Sequence, residues 1–138
     1  MSAEKDDSVI VIRFSPFGAD RLRENAEDTF ADDLERHHIP ARFGVSVLAV
    51  PLSEDESVAE AVERVCGSTH LGGKKIAVVT GRLLREAGFD LVHDPTQMEP
   101  LHHLVGARNF EAVPNVEALA SLFVERRMNN PIWTRRLS

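Results

Sequence analysis

The densest run of chemically capable side chains lies between His93 and Arg108: His93-Asp94-Pro95-Thr96, then Leu101-His102-His103-Leu104-Val105-Gly106 and Arg108. Histidine titrates near neutrality, so it can take a proton from a nucleophile or give one to a leaving group, and a nearby arginine can hold an anion. Those residue types suit acid–base chemistry on a phosphodiester, as in a small ribonuclease. Asp-Pro-Thr equally forms a turn, and of two adjacent histidines in a strand one must face inward as a hydrogen-bonded core residue. At most one of His102 and His103 therefore belongs to any one site.

Other chemistries find less support. His37, His38, His70, His93, His102 and His103, with Asp94, are the residue types that hold zinc, but there is no His-Glu-x-x-His and no paired cysteine. No native metal site is expected. Gly72-Gly73-Lys74-Lys75 precedes a strand instead of following one, so it is not a P-loop, and no Gly-x-Gly-x-x-Gly occurs. The absence of a Gly-x-Ser-x-Gly elbow argues against a serine hydrolase. Cys66, beside the apolar face of a helix and without a basic neighbour, reads as a small packed hydrophobe.

The elements that position these residues follow from periodicity. Ser8 to Phe14, Gly44 to Val50 and Lys75 to Thr80 are apolar runs of strand length, and Phe89 to His93 and Leu101 to Val105 are shorter ones around the Pro95 to Pro100 loop. Leu22, Ala26, Phe30 and Leu34 predict an amphipathic helix from Ala19 to near His38, ended by Pro40. Ser53 and Glu56 have capping-box spacing before Val58, Ala61, Val62 and Val65, with Gly67 as the stop. Arg82 to Ala87, closed by Gly88, predicts a short helix. Pro114 and Asn115 open a last one carrying Val116, Leu119, Ala120, Phe123 and Val124. Met128 to Trp133, after that helix, are expected not to be helical because Pro131 intervenes, and Trp133 to fold back or meet a partner.

These elements predict an α/β or α+β fold, a single domain with a central sheet of about five strands and three main helices. Residues 1–7 read as a flexible leader, 8–128 as the domain and 129–138 as a tail. The length of 138 residues leaves room for one core only. A single cysteine, an acidic N-terminus and the lack of a 20-residue apolar run predict a cytoplasmic protein with no membrane partner. Residues 1 to 66 carry 15 acids against 7 bases and residues 67 to 138 carry 7 against 9, which disfavours nucleic acid as a partner. Arg126, Arg127, Arg135 and Arg136 form the one basic cluster, and suit a helix C-terminus.

Gly44-Val45-Ser46-Val47, Lys75 to Thr80, Leu84 to Phe89, and Asp94-Pro95 leading to His103-Leu104-Val105 resemble a group of small, largely uncharacterised bacterial proteins. That group has a Ser-Val strand, a Val-Thr strand followed by a short helix, and an Asp-Pro loop leading to a His-containing strand. A fainter similarity goes to bacterial toxins of the ADP-ribosyltransferase type. It implies Arg13 as a contact to cofactor phosphate or ribose, Ser46 as a brace and His102 or His103 on the ribose, with NAD as cofactor. The chain lacks the Glu-x-Glu, the Ser-Thr-Ser and any tyrosine to stack on nicotinamide.

Two functions are expected on these grounds. The first is a non-catalytic protein-binding or regulatory module of a bacterial operon, in a toxin–antitoxin or phage-defence setting, without cofactor. Its partner would bind through the acidic first helix or the tail with Trp133. The alternative is an enzyme-type effector, ADP-ribosylating or RNA-cleaving, with His102, His103, Arg13 and Ser46 as catalytic candidates. It requires Arg13, Ser46 and one histidine to share a cleft.

Overall fold

The computed structural model describes residues 8–69, 72–106 and 115–133. The leader, His70, Arg108, Pro114 and the tail beyond Trp133 lie outside them.

The chain is a single α+β domain built on a six-stranded antiparallel sheet. The strands are β1 (Val9–Phe14), β2 (Val45–Pro51), β3 (Lys75–Thr80), β4 (Leu91–His93), β5 (His102–Val105) and β6 (Arg127–Asn129), in the spatial order β4-β5-β2-β1-β3-β6. The sixth strand was not expected from the sequence. It is three exposed residues that add to the edge of β3, with Lys75 opposite Asn129 and Ala77 opposite Arg127. Central β1 is buried along both faces, as its unbroken apolar run requires. Because β2 and β3 both pair antiparallel with β1, they run the same way, and the chain between them crosses over a strand.

The helices are α1 (Ala19–Glu35), α2 (Val58–Ser68), α3 (Gly81–Glu86) and α4 (Val116–Glu125). Leu22 and Ala26 of α1, Leu84 of α3, and Leu119 and Phe123 of α4 pack on Val11, Val45, Val47, Ala49 and Val79. The other core has α2, through Ala61, Val62, Val65 and Cys66, against Ile10, Ile12, Leu48, Val50 and Ile76. The sheet is thus covered by helices on both faces, which explains why its strands read as apolar runs instead of alternating ones.

Three local expectations change. The inward face of α1 is Leu22, Ala26, Thr29 and Asp33, and Leu34 is 55% exposed. At 3.6 residues per turn, three steps of four residues leave Leu34 rotated about 120° from Leu22, whereas Asp33 is only about 20° away. The capping box of α2 is Ser57 with Glu60, while Ser53 and Glu56 close the turn ahead of it. Pro131 begins a helical turn instead of preventing one, because Asn130 caps it: Asn130 Oδ1 accepts from the N–H of Ile132 at 3.0 Å and of Trp133 at 3.4 Å. Proline suits the first helical position, where no N–H partner is missed. Ile132 then packs on the α2 core.

Candidate active site

The sheet has a split. β1 pairs with β2 from Val9–Pro51 to Ile12–Leu48, but with β3 as far as Phe14–Ile76, so beyond Ile12 it stays with β3 and leaves β2. The main chain of Ser46 loses its strand partner there and takes side chains instead. Its N–H donates to Asn25 Oδ1 at 2.7 Å, and its carbonyl accepts from Arg13 Nη1 at 2.8 Å. Arg13 Nη1 also donates to Asn25 Oδ1 at 2.9 Å, and Arg13 Nε and Nη2 reach the Pro16 carbonyl at 3.3 and 3.2 Å. These oxygens are all neutral. Arg13 is 9% exposed and has no carboxylate partner among the described residues; burial lowers its pKa to about 10, which leaves it charged at neutral pH.

On β2 and β5, Ser46 lies opposite Leu104 and Leu48 opposite His102, which makes Ser46 and His102 diagonal neighbours on one face. His102 Nε2 is 3.0 Å from Ser46 Oγ, and that hydroxyl has no other partner among the described residues. His102 Nδ1 is 2.8 Å from the Asp94 carbonyl and 3.2 Å from Asp94 Oδ2. Both Asp94 atoms are acceptors, so in the neutral imidazole Nδ1 carries the proton and Nε2 is left to accept from the Ser46 hydroxyl.

Asp94 is itself held. Arg42 Nη2 donates to Asp94 Oδ1 at 3.0 Å, and Arg42 clamps Asp33 with Nε to Oδ2 at 2.8 Å, Nη2 to Oδ1 at 3.1 Å and its backbone N–H to Oδ2 at 2.9 Å. Asp33 is 1% exposed. Burial alone would raise its carboxyl, but the hydrogen bonds and charge of Arg42, with the charge of His38, hold it below the ordinary value. The hydrogen bond to Asp33 raises Arg42 in turn, with Asp94 adding to it against burial. The result is a line of contacts Asp33–Arg42–Asp94–His102–Ser46.

Ser46 and His102 border two cavities. One, of about 170 Å³, is walled by Ile12, Phe14, Val47 and Leu48 with Arg13 and Ser15; the other, of about 330 Å³, is lined by Thr29, Asp32, Glu35, Arg36, Asp94 and Thr96. Arg13, Ser46 and His102 therefore share one cavity. His103 does not join them: it pairs with Val47 and His93 on the opposite face, stacks on His93 with ring centroids 4.6 Å apart, and has Nδ1 2.7 Å from the Leu101 carbonyl. Cys66 is buried in the α2 core, and burial raises its thiol to about 11.

Asn25, Asp33 and Arg42 were not singled out by sequence reasoning, and Asp94 was read as a turn residue or ligand. Asp33 did leave a signal: an acid three turns along the buried stripe begun by Leu22 must find a partner. Asn25 and Arg42 left none, because their roles depend on where β1 parts from β2 and where the Asp94 loop lands. The glycine-flanked elbow, whose absence spoke against serine chemistry, is one way to present a serine; strand register is another. No family model, curated protein or solved structure matches the chain.

Proposed function

We propose that the protein is a small hydrolase in which Ser46 is the nucleophile, His102 the general base and acid, and Asp94 the group that orients His102. The observation that carries this is the Ser46 Oγ to His102 Nε2 contact of 3.0 Å, with Nδ1 fixed by Asp94, at the boundary of two cavities. The reaction is acyl transfer. Ser46 Oγ attacks the carbonyl carbon of an ester or amide as its proton passes to His102 Nε2, and Asp94 stabilises the imidazolium formed. The leaving group departs with that proton, and water, activated by His102, then cleaves the acyl-serine. Arg42 holds the Asp94 carboxylate in place throughout.

The cavities support a small substrate. A cavity of about 150 Å³ holds a benzene ring, so the smaller one suits a short acyl group and is tight for NAD, which the ADP-ribosylating alternative would require. Asp32, Glu35 and Asp94 outnumber Arg36 around the larger one, a balance unfavourable to a phosphodiester, which speaks against RNA cleavage.

The test is labelling by a fluorophosphonate probe together with hydrolysis of p-nitrophenyl acetate. Native protein should carry the adduct on Ser46, and Ser46→Ala and His102→Ala should lower hydrolysis by about 10²-fold or more while circular dichroism stays native. Absence of an adduct, with hydrolysis unchanged in both variants, overturns the reading.

A second reading, a regulatory protein-binding module of a bacterial conflict operon, is favoured by one feature. Leu34 (55% exposed) and Ile39 (84% exposed) lie at the end of α1, whose outer face carries Glu24, Glu27, Asp28, Asp32 and Glu35. Such a face fits a partner with basic residues around an apolar contact. Co-purification with a neighbour-encoded basic protein, lost in Leu34→Lys/Ile39→Lys, would support it; an unpartnered monomer in native lysate would count against it.

A further inference from the structure

Two arginines lie beside the Ser46–His102 pair, Arg13 buried and Arg42 partly buried, and they are treated differently. Arg42 meets two carboxylates, Asp33 and Asp94. Arg13, almost wholly buried, meets among the described residues only the carbonyls of Pro16 and Ser46 and the amide oxygen of Asn25. Neutral oxygens satisfy the donors without cancelling the charge, and an ion out of water without a counter-ion is costly. A guanidinium has five N–H groups, and four contacts account for four of them, which leaves one on Nη2. The cavity that Arg13 lines is otherwise walled by Ile12, Phe14, Val47 and Leu48, so a charge there acts through a medium of low polarity. The acids near the site, Asp32, Glu35 and Asp94, line the other cavity together with a single arginine, Arg36.

We infer that the smaller cavity is an anion-binding subsite, in which Arg13 receives the carboxylate of a small, otherwise apolar ligand about the size of a benzene ring. As the pocket for one end of a hydrolysed substrate it rests on the proposed reaction; as a binding site it stands on the cavity and Arg13 alone. The substrate class that follows is an ester or amide bearing a free carboxylate on a short apolar group, with the neutral or cationic remainder on the Asp32 and Glu35 side.

The test uses benzoate and benzamide, which share shape and differ in charge, titrated into the native protein and followed by ¹⁵N-resolved NMR. Benzoate should bind at least tenfold more tightly than benzamide, with shifts centred on Ile12, Arg13, Phe14 and Leu48, and Arg13→Lys should weaken it by fivefold or more. Because Arg13 also supports the Ser46 main chain, the native-protein comparison decides if that variant fails to fold. Equal binding of the two compounds, no binding of either, or benzoate shifts centred away from this cavity overturns the subsite. Ser46→Ala separates the two readings, since it should keep benzoate selectivity while losing the fluorophosphonate adduct. Selectivity without any adduct in native protein leaves the subsite and removes the hydrolase; an adduct without selectivity does the reverse.

Discussion

Replacing Arg42 by methionine tests the network behind His102 most directly, because it removes the charge while keeping an unbranched apolar stem. In the native protein Arg42 gives the Asp33 carboxylate two side-chain hydrogen bonds, of 2.8 and 3.1 Å, and its backbone N–H a third. Asp33 is 1% exposed, so the variant leaves a buried carboxylate with that N–H and the more distant Arg36 and His38, each at 3.7 Å and about half exposed. Breaking a buried pair from one side costs about 3–5 kcal/mol, and the remaining cations put this case near the lower end. A loss of about 3 kcal/mol should lower the melting temperature by roughly 10 °C in a chain of this size. The loss should also depend on pH. Native Asp33 titrates below its ordinary 3.8, so its contribution is present above that value and is lost as pH falls through the lower folded one. Without Arg42, burial dominates and the folded carboxyl titrates above 3.8, so mild acid relieves the variant while leaving the native protein unchanged. Urea unfolding followed by circular dichroism at pH 7 and pH 5 should show the gap narrowing in acid, and Asp33→Asn added to Arg42→Met should recover part of the stability at pH 7. A loss below about 1 kcal/mol, the size expected of exposed pairs, or a gap that does not narrow, would refute the reasoning.

Arg13→Met removes a buried cation without orphaning a carboxylate, so whatever it costs in urea unfolding should be the same at pH 7 and pH 5; a cost that falls in acid would mean that an acid depends on Arg13. Burial, with the charges of His93 and His102, keeps His103 below its ordinary 6.5, against the raising effect of the Leu101 carbonyl and Asp94. Stability from this group is therefore present above about 6.5 and lost as pH falls through its lower folded value, and His103→Phe should flatten the stability profile between pH 7 and pH 5. Asn130 is buried, caps the turn at Pro131 and donates to the Gly73 carbonyl at 3.0 Å, so Asn130→Ala should cost about 1–3 kcal/mol by urea midpoint and red-shift Trp133 fluorescence. Cys66, with its thiol raised to about 11, should react with a disulfide reagent at pH 8 only as fast as the domain opens, and immediate stoichiometric reaction would contradict its packing.

The strands were legible because the sheet is covered on both faces: continuous apolar runs such as Val9 to Ile12 and Ile76 to Val79 have few other uses at that length. The opposite facing of His102 and His103 followed from strand alternation alone, and the pairing with Leu48 and Val47 has them so. β6 was hidden because Arg127–Asn129 is exposed and carries no apolar pattern, its place being fixed by the free edge of β3 and by Asn130, whose N–H donates to the Lys74 carbonyl. The drift of the α1 stripe onto Asp33 follows from 3.6 residues per turn, and the even four-residue spacing of Leu22, Ala26, Phe30 and Leu34 masks it. Long-range pairing was out of reach. Ser46 and His102 are 56 residues apart and Arg42 and Asp94 are 52 apart, and only the strand order β5-β2-β1 brings either pair together.

That strand order also accounts for where the site lies. Had β1 continued along β2 past Ile12, Phe14 would face Ser46 across a closed ladder and no cavity would open beside it. β1 instead stays with β3, and the main-chain donor and acceptor that β2 would leave bare are met by Asn25 and Arg13. Those two side chains keep the split from collapsing or flooding, since a buried N–H and C=O without partners would cost several kcal/mol together. The same substitution sets the polarity of the opening, because a fixed cation now stands where a neutral peptide group would otherwise be. On the other side of β2 the ladder to β5 is intact, and its register holds His102 against Ser46. One strand therefore supplies two features at once: a paired edge that fixes the Ser46–His102 contact, and an unzipped edge beside which a cavity opens.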